Sequence, residues 1–254
     1  LIVDFKVAPD KIRLVHNGIN ININLRPATI DHRPPGHGLA SYKPEGDGAA
    51  SDSRSHSQSH RLLTKELKLF YGLKDGPVAG IIARLSEVKG HKYLIMAMKI
   101  VIEKIPDAQL LIVGEGKIQK DLEALADRLG IGEKIRFIPA VSDTSAPLSA
   151  MDVFVMPSLQ EGLGLSIMEA MLFGVPVAAS EVGGIPSLVK DGITGILVKP
   201  EDSDGLALAI IDLLKNKEKA SAMALAAKEL IIREFSLEKM VEQTERVYFE
   251  CLKD

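Results

Sequence analysis

Four ionisable residues stand where they could do chemistry: Arg84, Lys89, Glu161 and Glu169. The two glutamates have seven residues between them in "SLQEGLGLSIMEAMLFG" (158–174), around a turn of Gly162, Leu163 and Gly164. That turn opens onto an apolar run, which predicts a helix from Gly164 or Leu165, with Gly174 at the C′ position after it. Glu169 then lies about one turn inside, on the side facing back toward the loop. Free amides at such a helix start suit phosphate oxygens, and two carboxylates suit hydroxyls or a developing cation. The helix dipole alone also favours acids there, so two solvated carboxylates fit the same residues.

Two other stretches carry related signals. "RLSEVKGHK" (84–92) offers Arg84 and Lys89 ahead of a helix start near Gly90. Two cations at a helix N-terminus suit a diphosphate, although an ordinary charged surface loop has the same composition. In "GEGK" (114–117), Gly114 and Gly116 would let backbone approach a ligand closely. This stretch lacks the third glycine of the dinucleotide fingerprint, and no acidic residue closes a second strand, which excludes a nicotinamide cofactor.

The elements that must position these residues are legible as short apolar runs bounded by Gly or Pro. Strands are predicted at 78–84, 108–114, 134–139, 152–157, 175–180 and 195–198, with helices at about 90–104, 117–129, 165–173 and 185–190. Such alternation implies an α/β, Rossmann-like parallel sheet with helices on both faces. Ligands bind beyond the carboxyl ends of such strands, which is where all three loops fall. From Asp202 to Leu252 two or three helices are expected, with breaks near Asn216 and Ser236, the latter a good N-cap.

Composition sets the outer limits. A chain of 254 residues can build one or two domains with a substantial core. A net charge of −3 without a long basic run gives no electrostatic case for nucleic acid. The single cysteine, Cys251, excludes an intramolecular disulfide and fits a reducing compartment. No apolar stretch reaches the roughly 18 residues of a membrane helix. No signal peptide is visible at Leu1-Ile2-Val3, and the absence of an initial Met suggests a fragment. A cytoplasmic location is expected, with the inner face of the membrane as the other candidate. Residues 20–64 are rich in Gly, Pro, Ser, Asp and His and are expected to be a mobile insertion or linker, although "INININL" (19–25) alternates like a strand. His32, His37, His56 and His60 match no metal-ligand spacing, so no metal site is expected.

Taken together, these stretches carry a resemblance. "SLQEGLGLSIMEAMLFGVPVAASEVGGIPSLVKDGITGILVKPED" (158–202) closely resembles the signature of retaining GT-B glycosyltransferases of family four, the glycosyl transferases group 1, whose hallmark is this glutamate pair. The similarity extends to "GIIARLSEVKGHKYLIMAM" (80–98), "DAQLLIVGEG" (107–116) and "SAMDVFVMPS" (149–158), and covers roughly 75–254. "KIRLVHNGIN" (11–20) looks like the segment joining that family's two domains, which makes residues 1–19 an interdomain remnant.

The resemblance implies that residues 65–254 form the C-terminal, donor-binding half of a GT-B enzyme. Arg84 and Lys89 would neutralise the diphosphate of a nucleotide sugar, and Gly162, Leu163, Gly164 and Leu165 would offer amides to the phosphates and the transferred sugar. Glu161 would lie near that sugar, Glu169 would bind the ribose hydroxyls, and Gly114 and Gly116 would line the nucleotide pocket. The implied reaction moves a hexosyl group with retention, the nucleoside diphosphate sugar being the donor substrate with no separate cofactor. The acceptor, a glycan, lipid or small molecule, would be held by the N-terminal domain, which this chain lacks and which must act in cis or in trans. Three departures from the family pattern stand out: Ala83 in place of a frequent glycine, Ser187 in place of a usual glutamate, and a long insertion between Asn20 and Tyr42. A nucleotide-sugar epimerase, a non-catalytic sugar-binding module and a subunit needing a partner chain are the alternatives. The absence of Trp and a 4% aromatic content weaken the second, since such modules use aromatic platforms.

Overall fold

The computed structural model describes residues 62 and 64–252. The expectations for 1–19 and 20–64, including the four histidines and the candidate strand 19–25, therefore lie outside the described residues, apart from residues 62 and 64. Helical residues 64–70 lead into a six-stranded sheet in which every neighbouring pair is parallel. Its strands are β1 (Val78–Ile82), β2 (Gln109–Val113), β3 (Ile135–Ile138), β4 (Val153–Met156), β5 (Val177–Ser180) and β6 (Ile196–Val198). They are ordered β3-β2-β1-β4-β5-β6. Strands β2, β4 and β5 are buried throughout, which is why they read as unbroken apolar runs rather than alternating ones.

The helices are α1 (His91–Lys104), α2 (Gln119–Arg128), α3 (Ser145–Ala150), α4 (Leu165–Leu172), α5 (Ile185–Leu188), α6 (Ser203–Lys215), α7 (Lys217–Glu234) and α8 (Leu237–Cys251). α1 packs against α2 and α6, whereas α4 and α5 pack against α7. Right-handed crossovers account for the two layers. The chain winds outward from β1 to β3, returns to β4 and winds the other way, so the crossover helices before β3 lie on one face and those after β4 on the other. Ser236 caps α8 by accepting from the Lys239 amide at 3.1 Å. The helix α3 has no counterpart among the predicted elements. Its six residues, "SAPLSA", are too few to show a period, and the burial of Leu148 and Ala150 holds it in place.

The lower edge is tied by Asp152, which accepts from Lys68 Nζ and from the Val78 amide, each at 2.9 Å. Lys68 also donates to the Gly76 carbonyl at 2.9 Å, joining segment 64–70 to β1 and β4. Among the described residues, no helix is long and apolar enough to cross a membrane.

Candidate functional site

Strand order reverses between β1 and β4, and the crevice beyond their carboxyl ends is where such a sheet binds ligands. β1 stops at Ile82, two residues short of the predicted end, which frees Ala83 and Arg84 to form the crevice wall. The loops around this point lock together through backbone contacts that only glycine permits. A Cβ on Gly90 would stand 1.9 Å from the Pro157 carbonyl oxygen, and the Leu159 amide donates to Val88 O at 2.7 Å. The loop after β1 is thereby fastened to the loop after β4.

Glycines brace both flanks. A Cβ on Gly114 would meet Ala83 O at 2.0 Å, and one on Gly116 would meet Leu85 O at 1.9 Å. The close approach that these two glycines allow is therefore to the neighbouring 83–85 backbone. On the other flank, a Cβ on Gly183 would lie 1.8 Å from Glu161 O, and one on Gly184 would lie 1.9 Å from Gly162 O. The loop after β5 thus presses directly on the turn that carries Glu161.

Between these loops is a cavity of about 420 Å³. It brings together Arg84 and Lys89 from the β1 loop with Glu161, Leu163, Gly164, Leu165 and Glu169 from the β4 loop and α4. Gly162 is exposed beside it, while Gly114 and Gly116 are not among the residues that line it. Ser166 also lines the cavity, in the first turn of α4, a position that the helix-start argument covers without singling out the residue. Gly164 precedes that turn in the left-handed region at φ 89°, and the first residues of α4, whose amides lack partners within the helix, line the cavity.

The charges are arranged unequally. Lys89 Nζ donates directly to Glu161 Oε2, joining the two loops by an ion pair. The buried Ser158 donates to the same oxygen at 3.4 Å. Arg84 is exposed and has no carboxylate partner among the described residues. Burial raises the Glu169 carboxyl above its ordinary range. The nearby Asp143 charge adds to this, and a hydrogen bond with Thr144 opposes it. The sequence reading missed Asp143 and Thr144, because the loop after β3 offered neither glycine nor a clustered charge.

A second cavity, of about 380 Å³, lies between α1 and α2 and contains none of the sequence-predicted site residues. His91 lines it and is 1% exposed. Burial pushes its imidazole down from 6.5 to about 4, the Lys89 charge adds to the shift, and neither ring nitrogen has a hydrogen-bond partner among the described residues. Between those two values the unfolded chain binds a proton that the folded chain does not. Stability should therefore fall as pH drops through that window, by about 3 kcal/mol in total from this residue. Denaturant titrations of wild type and His91→Gln should diverge from pH 6.5 downward, with the variant less pH-sensitive. Parallel pH profiles would remove His91 as the source.

The family model for glycosyl transferases group 1 matches residues 65–230. The chain is 33% identical over 210 residues to the GDP-mannose-dependent alpha-(1-6)-phosphatidylinositol monomannoside mannosyltransferase of Mycolicibacterium smegmatis, covering 79% of this chain and 51% of that protein. The chain thus spans about half the length of that curated relative. The crystal structure of Anabaena HepE in complex with UDP and glucose superposes with a TM-score of 0.69 at 27% identity, covering 74% of this chain and 52% of that one. The C-terminal domain of the group 1 family protein LpcC from Francisella tularensis superposes with a TM-score of 0.63 at 25% identity, covering 68% of this chain and 93% of that domain. The chain belongs to the glycosyl transferases group 1, and its sheet is the Rossmann-like C-terminal half of their GT-B fold.

Proposed function

We propose that this chain binds a nucleoside diphosphate sugar and, with an acceptor-binding half outside it, transfers the hexosyl group with retention of configuration. The observation that carries this reading is the cavity at the β1/β4 reversal. Arg84, Lys89, Glu161, Glu169 and the first residues of α4 all line it. Arg84, Lys89 and the first amides of α4 supply positive charge where the leaving diphosphate becomes more negative as the glycosidic bond breaks. Glu169 accepts from the ribose hydroxyls, and Glu161 faces the sugar. In the front-face course, the bond from the anomeric carbon to phosphate oxygen breaks as the bond to the acceptor oxygen forms. The acceptor's proton passes to the departing phosphate. The Mycolicibacterium relative is named for a GDP-sugar and the Anabaena structure contains UDP and glucose, which supports the donor class and leaves the base and sugar to this chain's own residues.

Calorimetry with UDP, GDP, ADP and dTDP, each with and without an attached hexose, tests the reading. One family of these probes should bind saturably. Glu169→Gln should weaken the bare nucleoside diphosphate roughly tenfold, as loss of a charged hydrogen-bond acceptor does. No saturable binding of any probe by the wild-type chain would sink the proposal.

A further inference from the structure

We infer that Glu161 discriminates between the intact donor and the spent nucleoside diphosphate by reclaiming Lys89 whenever no sugar stands beside it. This rests on the reading of the cavity as a nucleotide-sugar site, and gives its ion pair a part in product release.

The pair joins two loops that are 72 residues apart in sequence. Its side chains are only 20% and 13% exposed, so solvent and salt screen it less than an ordinary surface pair. Neither partner is held loosely. The Leu159–Val88 hydrogen bond fixes the two backbones together, Gly183 presses on Glu161 from behind, and Ser158 donates to the same carboxylate oxygen. A diphosphate that takes Lys89 must therefore pull it from a fixed carboxylate and then lie beside that negative charge.

The consequence depends on whether a sugar is attached. With the intact donor, Lys89 exchanges a carboxylate for phosphate, and Glu161 exchanges an ammonium for sugar hydroxyls, which its two oxygens accept readily. Both charges stay satisfied. With the bare diphosphate only the first exchange occurs. Glu161 is left with one distant Ser158 contact, a partly buried carboxylate facing phosphate, and stripping a partner from such a charge is costly. Glu161 thus favours the donor on entry and opposes the nucleotide once the sugar has left. A carboxylate that merely held the sugar would leave affinity for the bare diphosphate unchanged when neutralised.

The experiment measures dissociation constants for the same eight probes with wild type, Glu161→Gln and Lys89→Gln. Glu161→Gln is expected to bind the bare nucleoside diphosphate roughly tenfold tighter than wild type and to lose most of the preference for the sugar-bearing form. Lys89→Gln should move the preference the other way, because the carboxylate then repels the bare diphosphate with no lysine between them. This second variant keeps the test decisive should Glu161→Gln fold poorly. Equal or weaker binding of the bare diphosphate by Glu161→Gln, or an unchanged preference in Lys89→Gln, overturns the inference and leaves the donor-site reading intact. Failure of wild type to bind any probe removes that reading and the inference with it.

Discussion

Arg84→Ala is expected to weaken nucleoside diphosphate binding roughly ten- to a hundredfold, more than Lys89→Ala. Both cations line the same cavity, but their states before binding differ. Lys89 already has Glu161, so its contact with phosphate replaces an existing ion pair and the net gain is small. Arg84 is exposed and has no carboxylate partner among the described residues, so its guanidinium surrenders only hydration. A guanidinium can also engage two phosphate oxygens at once, which an ammonium cannot reproduce. Arg84→Lys should therefore recover only part of the loss. In an enzyme completed by its acceptor half, transfer should fall on the order of a hundred- to a thousandfold, as for other groups that stabilise a developing anion. Calorimetry of the two alanine variants side by side decides the matter. A larger loss at Lys89 would overturn this ranking of the two cations.

That ranking could not have been read from the chain. The sequence offers Arg84 and Lys89 as equivalents in one loop, and Glu161 as a separate feature far downstream. Only the placement of β4 beside β1 makes Glu161 the partner of one cation and not the other. The sheet itself was legible for a simple reason. Central parallel strands are covered on both faces, so Val, Ile and Leu follow one another without interruption, and each predicted strand is present with one or both ends trimmed. At β1, Ala83 continues the apolar run beyond the strand end at Ile82 and lines the crevice.

Residues that announce themselves by charge or by a helix start come together in space: Arg84, Lys89, Glu161, Glu169 and the Gly164–Leu165 turn all border one cavity. Residues that act by letting another backbone come near are harder to read. Gly114 and Gly116 suggest a ligand in the sequence, and the structure shows their close approach to residues 83–85, while Gly183 and Gly184 carry no local signal for the support they give the Glu161 turn. A glycine in a sequence can mark either a positive φ or a close approach by another group. Where it marks an approach, the sequence does not show whether the neighbour is a ligand or the protein.

Two alanine substitutions separate those possibilities. Gly184→Ala places a methyl group 1.9 Å from the Gly162 carbonyl oxygen, and neither atom belongs to a flexible side chain. The turn 161–163 must move, carrying Glu161 and Leu163 with it. A displacement of about 1 Å at a positioning group costs on the order of a hundredfold in rate, so donor binding and transfer should both collapse. The overlap should also lower stability by about 1–3 kcal/mol. Gly162→Ala is the opposite case, since its Cβ meets nothing within 4 Å. Stability should be unchanged, and any loss of donor affinity must come from the ligand itself approaching that backbone. Gly174→Ala supplies the reference: its φ is +73° and nothing lies within 4 Å, so it should carry backbone strain of about 1–2 kcal/mol without loss of binding. Thermal melts and calorimetry on the three variants give a distinct pattern for each. A Gly184→Ala protein that binds and transfers like wild type would mean that the loop after β5 does not set the position of Glu161. A Gly162→Ala protein with full donor affinity would mean that no ligand atom comes close to the exposed face of that turn.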